Sequence, residues 1–245
     1  MSEVGIVFLY ALATAFATGF GALPFLFVRR ISERFVAYSG AIASGLMLGA
    51  SFGLVAEGTG YGRGQTLIGG LLGVGFILLA QRLLGERDGH DLVFEAARGE
   101  GARRMLLIVI VMTVHSFAEG VAVGVSFGDG VTLGTVITIA IAIHNVPEGV
   151  AISAVLRPQG VSVGRCAAWS VFSSLPQPLM AVPAFLFVEA FREALPYGLG
   201  FAAGAMVFMV LGDLLPEAYR GGERAQVATL ATASTVAMVL FQQWL

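Results

Sequence analysis

The sequence predicts an all-α integral membrane protein with eight transmembrane helices. Three observations carry that prediction. First, 57% of the 245 residues are hydrophobic and 12% are charged, whereas a soluble domain carries roughly 25% charged residues. A water-soluble chain of this composition would have too little polar surface to cover itself. Second, eight apolar stretches reach the length of about 20 residues needed to cross ~30 Å of hydrocarbon at ~1.5 Å per residue. Third, the basic residues, all fourteen of them arginine, are distributed very unevenly among the connections.

Taken in order, the stretches cover residues 4–28, 36–57, 66–85, 104–127, 131–155, 166–190, 196–215 and 225–245. The first follows Glu3 with no basic residue before it, unlike a cleavable leader, and runs to Val28, so it reads as a membrane helix. The breaks are mostly short and polar, such as Arg29-Arg30-Ile31-Ser32-Glu33-Arg34 and Arg220-Gly221-Gly222-Glu223-Arg224. The longest, 86–103, carries charges of both signs. Connections after the odd-numbered stretches hold Arg29, Arg30, Arg34, Arg82, Arg87, Arg98, Arg103, Arg104, Arg157, Arg165, Arg220 and Arg224, and the other side holds only Arg63 and Arg192. Positive charge marks the cytoplasmic side, so both termini are expected outside and 86–103 is expected to be a cytoplasmic loop within a single transmembrane domain spanning 1–245. The net charge of −2 gives no reason to expect a nucleic-acid partner, and the single cysteine, Cys166, excludes an internal disulfide and a cysteine-cluster metal site.

Two internal similarities suggest inverted repeats, helices 1–3 against 6–8 and helix 4 against helix 5. Ala22-Leu23-Pro24-Phe25-Leu26-Phe27-Val28 resembles Ala181-Val182-Pro183-Ala184-Phe185-Leu186-Phe187-Val188, and Gly45, Met47 and Gly53 then fall opposite Gly204, Met206 and Gly212. The second similarity is sharper. His115-Ser116-Phe117-Ala118-Glu119-Gly120 matches His144-Asn145-Val146-Pro147-Glu148-Gly149. Neighbouring spans cross in opposite directions, so this pair is expected near the bilayer midplane, where inverted-repeat transporters place their sites.

Within each copy the histidine and glutamate are four residues apart and share one helix face. If the two faces meet, His115, Glu119, His144 and Glu148 form a four-ligand shell suited to zinc. Iron, manganese, cobalt or cadmium would enter similar chemistry. A charged carboxylate at mid-membrane costs at least ~2.5–3.5 kcal/mol, and a passing divalent cation gives two such carboxylates a common reason. The competing reading is polar glue, with each glutamate protonated and bonded to its own histidine. Pro147 leaves the Ile143 carbonyl without its donor and predicts an irregular turn beside the ligands, and Pro176 and Pro178 predict another around Gln177. Asn145 and Gln177 are candidate neutral oxygen ligands or helix-packing hydrogen bonders. Glu57, Asp213 and Glu217 are candidates for an entrance and an exit, or else solvated helix ends. His90, between Asp88 and Asp91, is a candidate regulatory contact in a loop otherwise expected to be solvated.

At these residues the chain resembles the ZIP (Zrt/Irt-like) family of divalent metal-ion transporters, prokaryotic type. The motif His144-Asn145-Val146-Pro147-Glu148-Gly149 carries the resemblance and Leu214-Leu215-Pro216-Glu217-Ala218 supports it. The resemblance implies zinc transport into the cytoplasm by an elevator or rocking motion, a homodimer, and a place in the plasma (inner) membrane. It puts a principal site on His115, Glu119, His144 and Glu148, and a second on Ser116, Asn145, Gln177 and the shared Glu148. The family often has Asn at Ser116, Pro at Ala118 and acidic residues at Asn145 or Gln177, so the second site here is expected to be weak or a relay. The histidine-rich loop common in the family is reduced to His90. An intramembrane zinc-dependent hydrolase is the alternative from another class. It needs three protein ligands and an open position for water, and the sequence has no His-Glu-x-x-His motif.

Overall fold

The start of each of the first two helices is set by local chemistry. Ser2 accepts a hydrogen bond from the Gly5 N–H at 3.2 Å and starts α1 (Glu3–Phe20). Ser32 does the same for the Phe35 N–H and starts α2 (Glu33–Tyr61). These features come from a computed structural model that describes residues 2–28, 31–83 and 101–244. Among the described residues there is no strand. The remaining helices are α3 (Arg63–Leu83), α4 (Gly101–Asp129), α5 (Val131–Leu156), α6 (Val163–Ser174), α7 (Pro176–Ala190), α8 (Leu195–Met209), α9 (Leu215–Gly221) and α10 (Arg224–Trp244).

Seven helical stretches among the described residues are long and apolar enough to cross a membrane: Glu3–Leu26, Glu33–Tyr61, Arg63–Arg82, Val131–Gln159, Val163–Ala190, Arg192–Gly221 and Arg224–Gln243. These correspond to seven of the eight predicted stretches, and the other falls on α4. The protein is therefore an all-α integral membrane protein. Arg29, Arg30, Arg87, Arg98 and His90 lie outside the described residues, as does most of the expected loop. Its last residues, 101–103, already belong to α4.

Several spans are not simple rods. The first ends as a helix at Phe20 and continues through a 3₁₀ turn, Leu23–Leu26, containing Pro24. The sixth breaks at Leu175, where Pro176 starts a new helix, as its prolines predict. The seventh is interrupted by a π-turn at Val210–Leu214, which holds Gly212 and precedes Pro216, a residue with no N–H to return to the Gly212 carbonyl. Pro147 behaves differently from expectation. It lies inside an unbroken α5. A proline removes one backbone hydrogen bond without necessarily breaking the helix around it.

Glycine contacts reveal how the helices run. A Cβ on Gly149 would lie 1.8 Å from the Thr18 carbonyl oxygen, and one on Gly21 would lie 2.2 Å from the Val150 nitrogen, so α1 and α5 are parallel. Gly120 faces Gln177 and Gly124 faces Ala181 in the same way, so α4 and α7 are parallel. Helices α4 and α5, joined only by Gly130 at φ 142°, are antiparallel, because His115 meets Glu148 while Glu119 meets His144. It follows that α1 and α7 run in opposite directions, as an inverted repeat requires. The positions agree as well. Thr18 and Gln177 stand at the same spacing as Ala22 and Ala181. Gly45 meets the Ala231 carbonyl and its repeat partner Gly204 meets the Gly70 carbonyl, a Cβ in either case lying 2.2 Å away. The correspondence fails at the π-turn. Gly53 abuts Gln242, whereas Gly212 has only Phe208 of its own helix nearby.

Candidate metal centre

The two motifs face each other on α4 and α5 in the protein interior. His115 and Glu148 are 4% and 3% exposed, and Glu119 and His144 are fully buried. The pairs form across the helices. His144 Nε2 lies 2.6 Å from Glu119 Oε1, and His115 Nε2 lies 3.0 Å from Glu148 Oε1. Within its own helix His115 is 3.9 Å from Glu119. The polar-glue reading, in which each glutamate is bonded to its own histidine, is therefore not what the fold produces. Exchange of the two repeat copies maps one cross-pair onto the other.

The backbone prepares His144. Its Nδ1 lies 3.0 Å from the Ala140 carbonyl oxygen. A carbonyl only accepts, so Nδ1 carries the hydrogen and Nε2 presents its second position to Glu119. The 2.6 Å contact there needs a shared proton, on the imidazole or on the carboxyl group. A metal ion would take the place of that proton, and the Ala140 contact would keep the ring oriented for it.

The other half of the shell has no such bond. His115 Nε2 and Glu148 Oε1 are both buried without a hydrogen-bond partner, despite their 3.0 Å separation. Ligand atoms of His115, Glu119 and Glu148 all lie within 4.8 Å of one another. Two ligands on one tetrahedral zinc, at ~2.0–2.2 Å each, stand ~3.4 Å apart. The separations of 3.0 and 3.9 Å bracket that value. The donor set, nitrogen plus carboxylate oxygen, fits zinc and its borderline neighbours.

The residues of the expected second site divide. Gln177 is committed to a network. Its Nε2 donates to Glu119 Oε2 at 2.6 Å, and its Oε1 accepts from Thr14 Oγ1 at 2.5 Å and from Asn145 Nδ2 at 3.2 Å. Asn145 Nδ2 also donates to the Thr14 carbonyl at 2.8 Å. Because a carboxylate can only accept, the amide group of Gln177 must face Glu119. In contrast, Asn145 Oδ1 and Ser116 Oγ are buried and lack partners.

The candidate pathway residues lie in two places, Glu57 near the α2–α3 turn and Asp213 with Glu217 at and after the π-turn. Glu57 is exposed on α2 and approaches Asp129, which also accepts a hydrogen bond from the Tyr61 hydroxyl. Asp213 sits in the π-turn, accepts from Gln81 Nε2 at 3.3 and 3.4 Å, and lies within electrostatic reach of His115. Glu217, partly buried one turn on, has a buried Oε1 with no hydrogen-bond partner. Sequence reasoning missed Thr14, Gln81 and Asp129. Thr14 had a signal, being a buried hydroxyl four residues before Thr18, which pairs with Ser174 of α6 at 2.8 Å. Gln81 and Asp129 acquire meaning only through partners distant in sequence.

A polytopic membrane protein with two imidazoles and two carboxylates sealed between its central helices belongs to the class built to hold a divalent cation inside the bilayer. The comparisons with known proteins make the class specific. The family model described as ZIP zinc transporter matches residues 95–240. The zinc transporter GufA of Myxococcus xanthus is 33% identical over 240 residues, covering 91% of this chain and 93% of the relative. The zinc transporter ZIPB of Bordetella bronchiseptica is 37% identical over 257 residues, covering 98% and 81%. A protein of Arabidopsis thaliana named for zinc transport is 44% identical over 239 residues, and the chain spans 96% of itself but only 38% of that relative. The chain belongs to the ZIP zinc transporter family.

Proposed function

We propose that the chain carries divalent metal ions across the membrane, zinc before others, through a shell formed by His115, Glu119, His144 and Glu148. The observation that supports this best is the pair of buried cross-helix contacts, His144 Nε2 to Glu119 Oε1 at 2.6 Å and His115 Nε2 to Glu148 Oε1 at 3.0 Å. Two carboxylates and two imidazoles gathered inside the bilayer are costly to bury even when paired with one another. A doubly positive ion satisfies all four side chains at once and displaces the proton held between His144 and Glu119. Release on the far side allows that proton to return. Each transport cycle thereby couples metal binding to deprotonation of the shell.

Around this shell the reading extends to the whole chain. Eight spans with both termini outside and 86–103 in the cytoplasm follow from the arginine asymmetry. Uptake then runs towards the cytoplasm of a cell bounded by the plasma (inner) membrane. Glu57 stands at the entrance, and Asp213 with Glu217 at the exit. Ser116 and Asn145 offer two neutral oxygens beside Glu148 as a relay, with Gln177 holding Glu119 in place. Cadmium, iron, manganese and cobalt are secondary substrates by donor chemistry. The chain acts as a homodimer and as a carrier with no enzymatic step. The hydrolase alternative gains no support from a shell whose ligands are paired symmetrically or from relatives named as transporters.

Zinc uptake into proteoliposomes tests this reading. The wild-type chain accumulates zinc, and His144→Ala combined with Glu148→Ala abolishes accumulation. Uptake retained by the double variant would defeat the assignment of the shell.

A further inference from the structure

Away from the metal centre, a groove of about 700 Å³ runs between α2, α3 and α8. Its floor is made where α3 and α8 touch through glycine, Gly204 lying against the Gly70 carbonyl and Gly200 against the Thr66 carbonyl. Its walls are apolar, including Leu71 and Leu211, which are 64% and 58% exposed. One charged side chain lines it, Arg63, at the end nearest the α2–α3 turn. Arg63 is exposed and makes no hydrogen bond or ion pair with another described residue.

The dimensions identify an occupant. From Arg63 to Val74 the groove follows α3 for about three turns, or ~16 Å at ~1.5 Å per residue. Half of a hydrocarbon core of ~30 Å is ~15 Å. The groove thus begins with a guanidinium at the α2–α3 turn and runs along α3 for a length comparable to half a hydrocarbon core. We propose that it binds one acyl chain of an anionic phospholipid from the leaflet on the side of the α2–α3 turn, with the lipid phosphate on Arg63. A guanidinium offers phosphate a two-pronged, charge-assisted contact, and the glycines let α3 and α8 touch closely enough to close the floor beneath the chain. A second copy of the chain suits the groove less well. The lining holds no carboxylate that a second copy could offer to Arg63. The inner end of the groove adjoins Asp213, so a bound lipid would also buttress the π-turn.

Native mass spectrometry of the full chain in detergent, with phosphatidylglycerol or phosphatidylcholine added, tests the proposal. The wild type should retain one phosphatidylglycerol per chain. Arg63→Gln should lower its retention about tenfold, the scale of one lost charge-assisted contact, and Arg63→Lys should restore part of it. Gly70→Leu should remove both lipids. An added Cβ at Gly70 meets only the Gly200 carbonyl at 3.6 Å, an ordinary contact, so the backbone there accepts a side chain, and zinc binding at the distant metal centre should be kept. If Gly70→Leu fails to fold, the Arg63 pair still decides the matter. Lipid retention unchanged in Arg63→Gln would overturn the proposal. So would a Gly70→Leu variant that dissociates from dimer to monomer while keeping its lipid, because a second copy would then be the occupant.

Discussion

Replacing Gln177 with glutamate sets a second carboxylate against Glu119, whose Oε2 now receives the Gln177 amide at 2.6 Å. Both side chains are fully buried. Two unit charges ~3 Å apart repel by ~5 kcal/mol at an effective dielectric constant of ~20. Protonating one of them near pH 7 costs ~4 kcal/mol from an ordinary carboxylate, which caps the penalty at about that value. The lost amide donation adds ~1–3 kcal/mol. A divalent cation between the carboxylates removes most of the repulsion. The metal-free variant should therefore melt well below the wild type at pH 7.5, and the gap should narrow on adding zinc. Acidification should narrow it too, because one proton relieves the pair. Thermal unfolding of the purified chain in detergent, with and without zinc at several pH values, reads all three effects. A variant whose melting temperature depends on zinc and pH just as the wild type's does would refute the reasoning, since Gln177 would not then be facing the metal shell.

Three further outcomes are expected. His144→Ala with Glu148→Ala should reduce zinc binding, measured by isothermal calorimetry, below detection while leaving the helical circular dichroism signal in place. Gly149→Ala should destabilise the fold by ~1–3 kcal/mol or more, because its Cβ would lie 1.8 Å from the Thr18 carbonyl, whereas Gly40→Ala, with nothing within 4 Å of the added atom, should be tolerated; denaturation in detergent compares them. Zinc uptake should fall as the pH drops from about 8 to about 5, since the histidines and carboxylates must release protons to hold the metal, and a flux flat across that range would count against a His/Glu shell.

Much of this architecture is legible in the chain because membrane insertion imposes a simple code. Apolar length marks the spanning helices, and the repeated His-x-x-x-Glu spacing marks the four side chains that α4 and α5 bring together. The sequence could not say whether each histidine pairs with its own glutamate or with the one on the facing helix. That depends on how closely α4 and α5 approach, which their neighbours help to set through Gly120 against Gln177 and Gly149 against Thr18. The π-turn at Val210–Leu214 had a signal that sequence reasoning missed, Gly212 followed four residues later by Pro216, which cannot donate to the Gly212 carbonyl. Pro147 misled in the opposite direction. A proline guarantees one missing hydrogen bond but not a broken helix. Thr14 escaped notice because a lone hydroxyl in an apolar span usually bonds its own backbone, and Thr14 does so with the Ala11 carbonyl at 2.6 Å while also reaching Gln177.

Anomalous diffraction at the zinc absorption edge, on crystals of the full chain soaked in zinc, puts the central claim to its most direct test. A peak within bonding distance of His115 Nε2, Glu119, His144 Nε2 and Glu148 is the expected result, with the His144–Glu119 contact opened to admit the ion. A zinc peak elsewhere, with that contact still closed at 2.6 Å, would contradict the account.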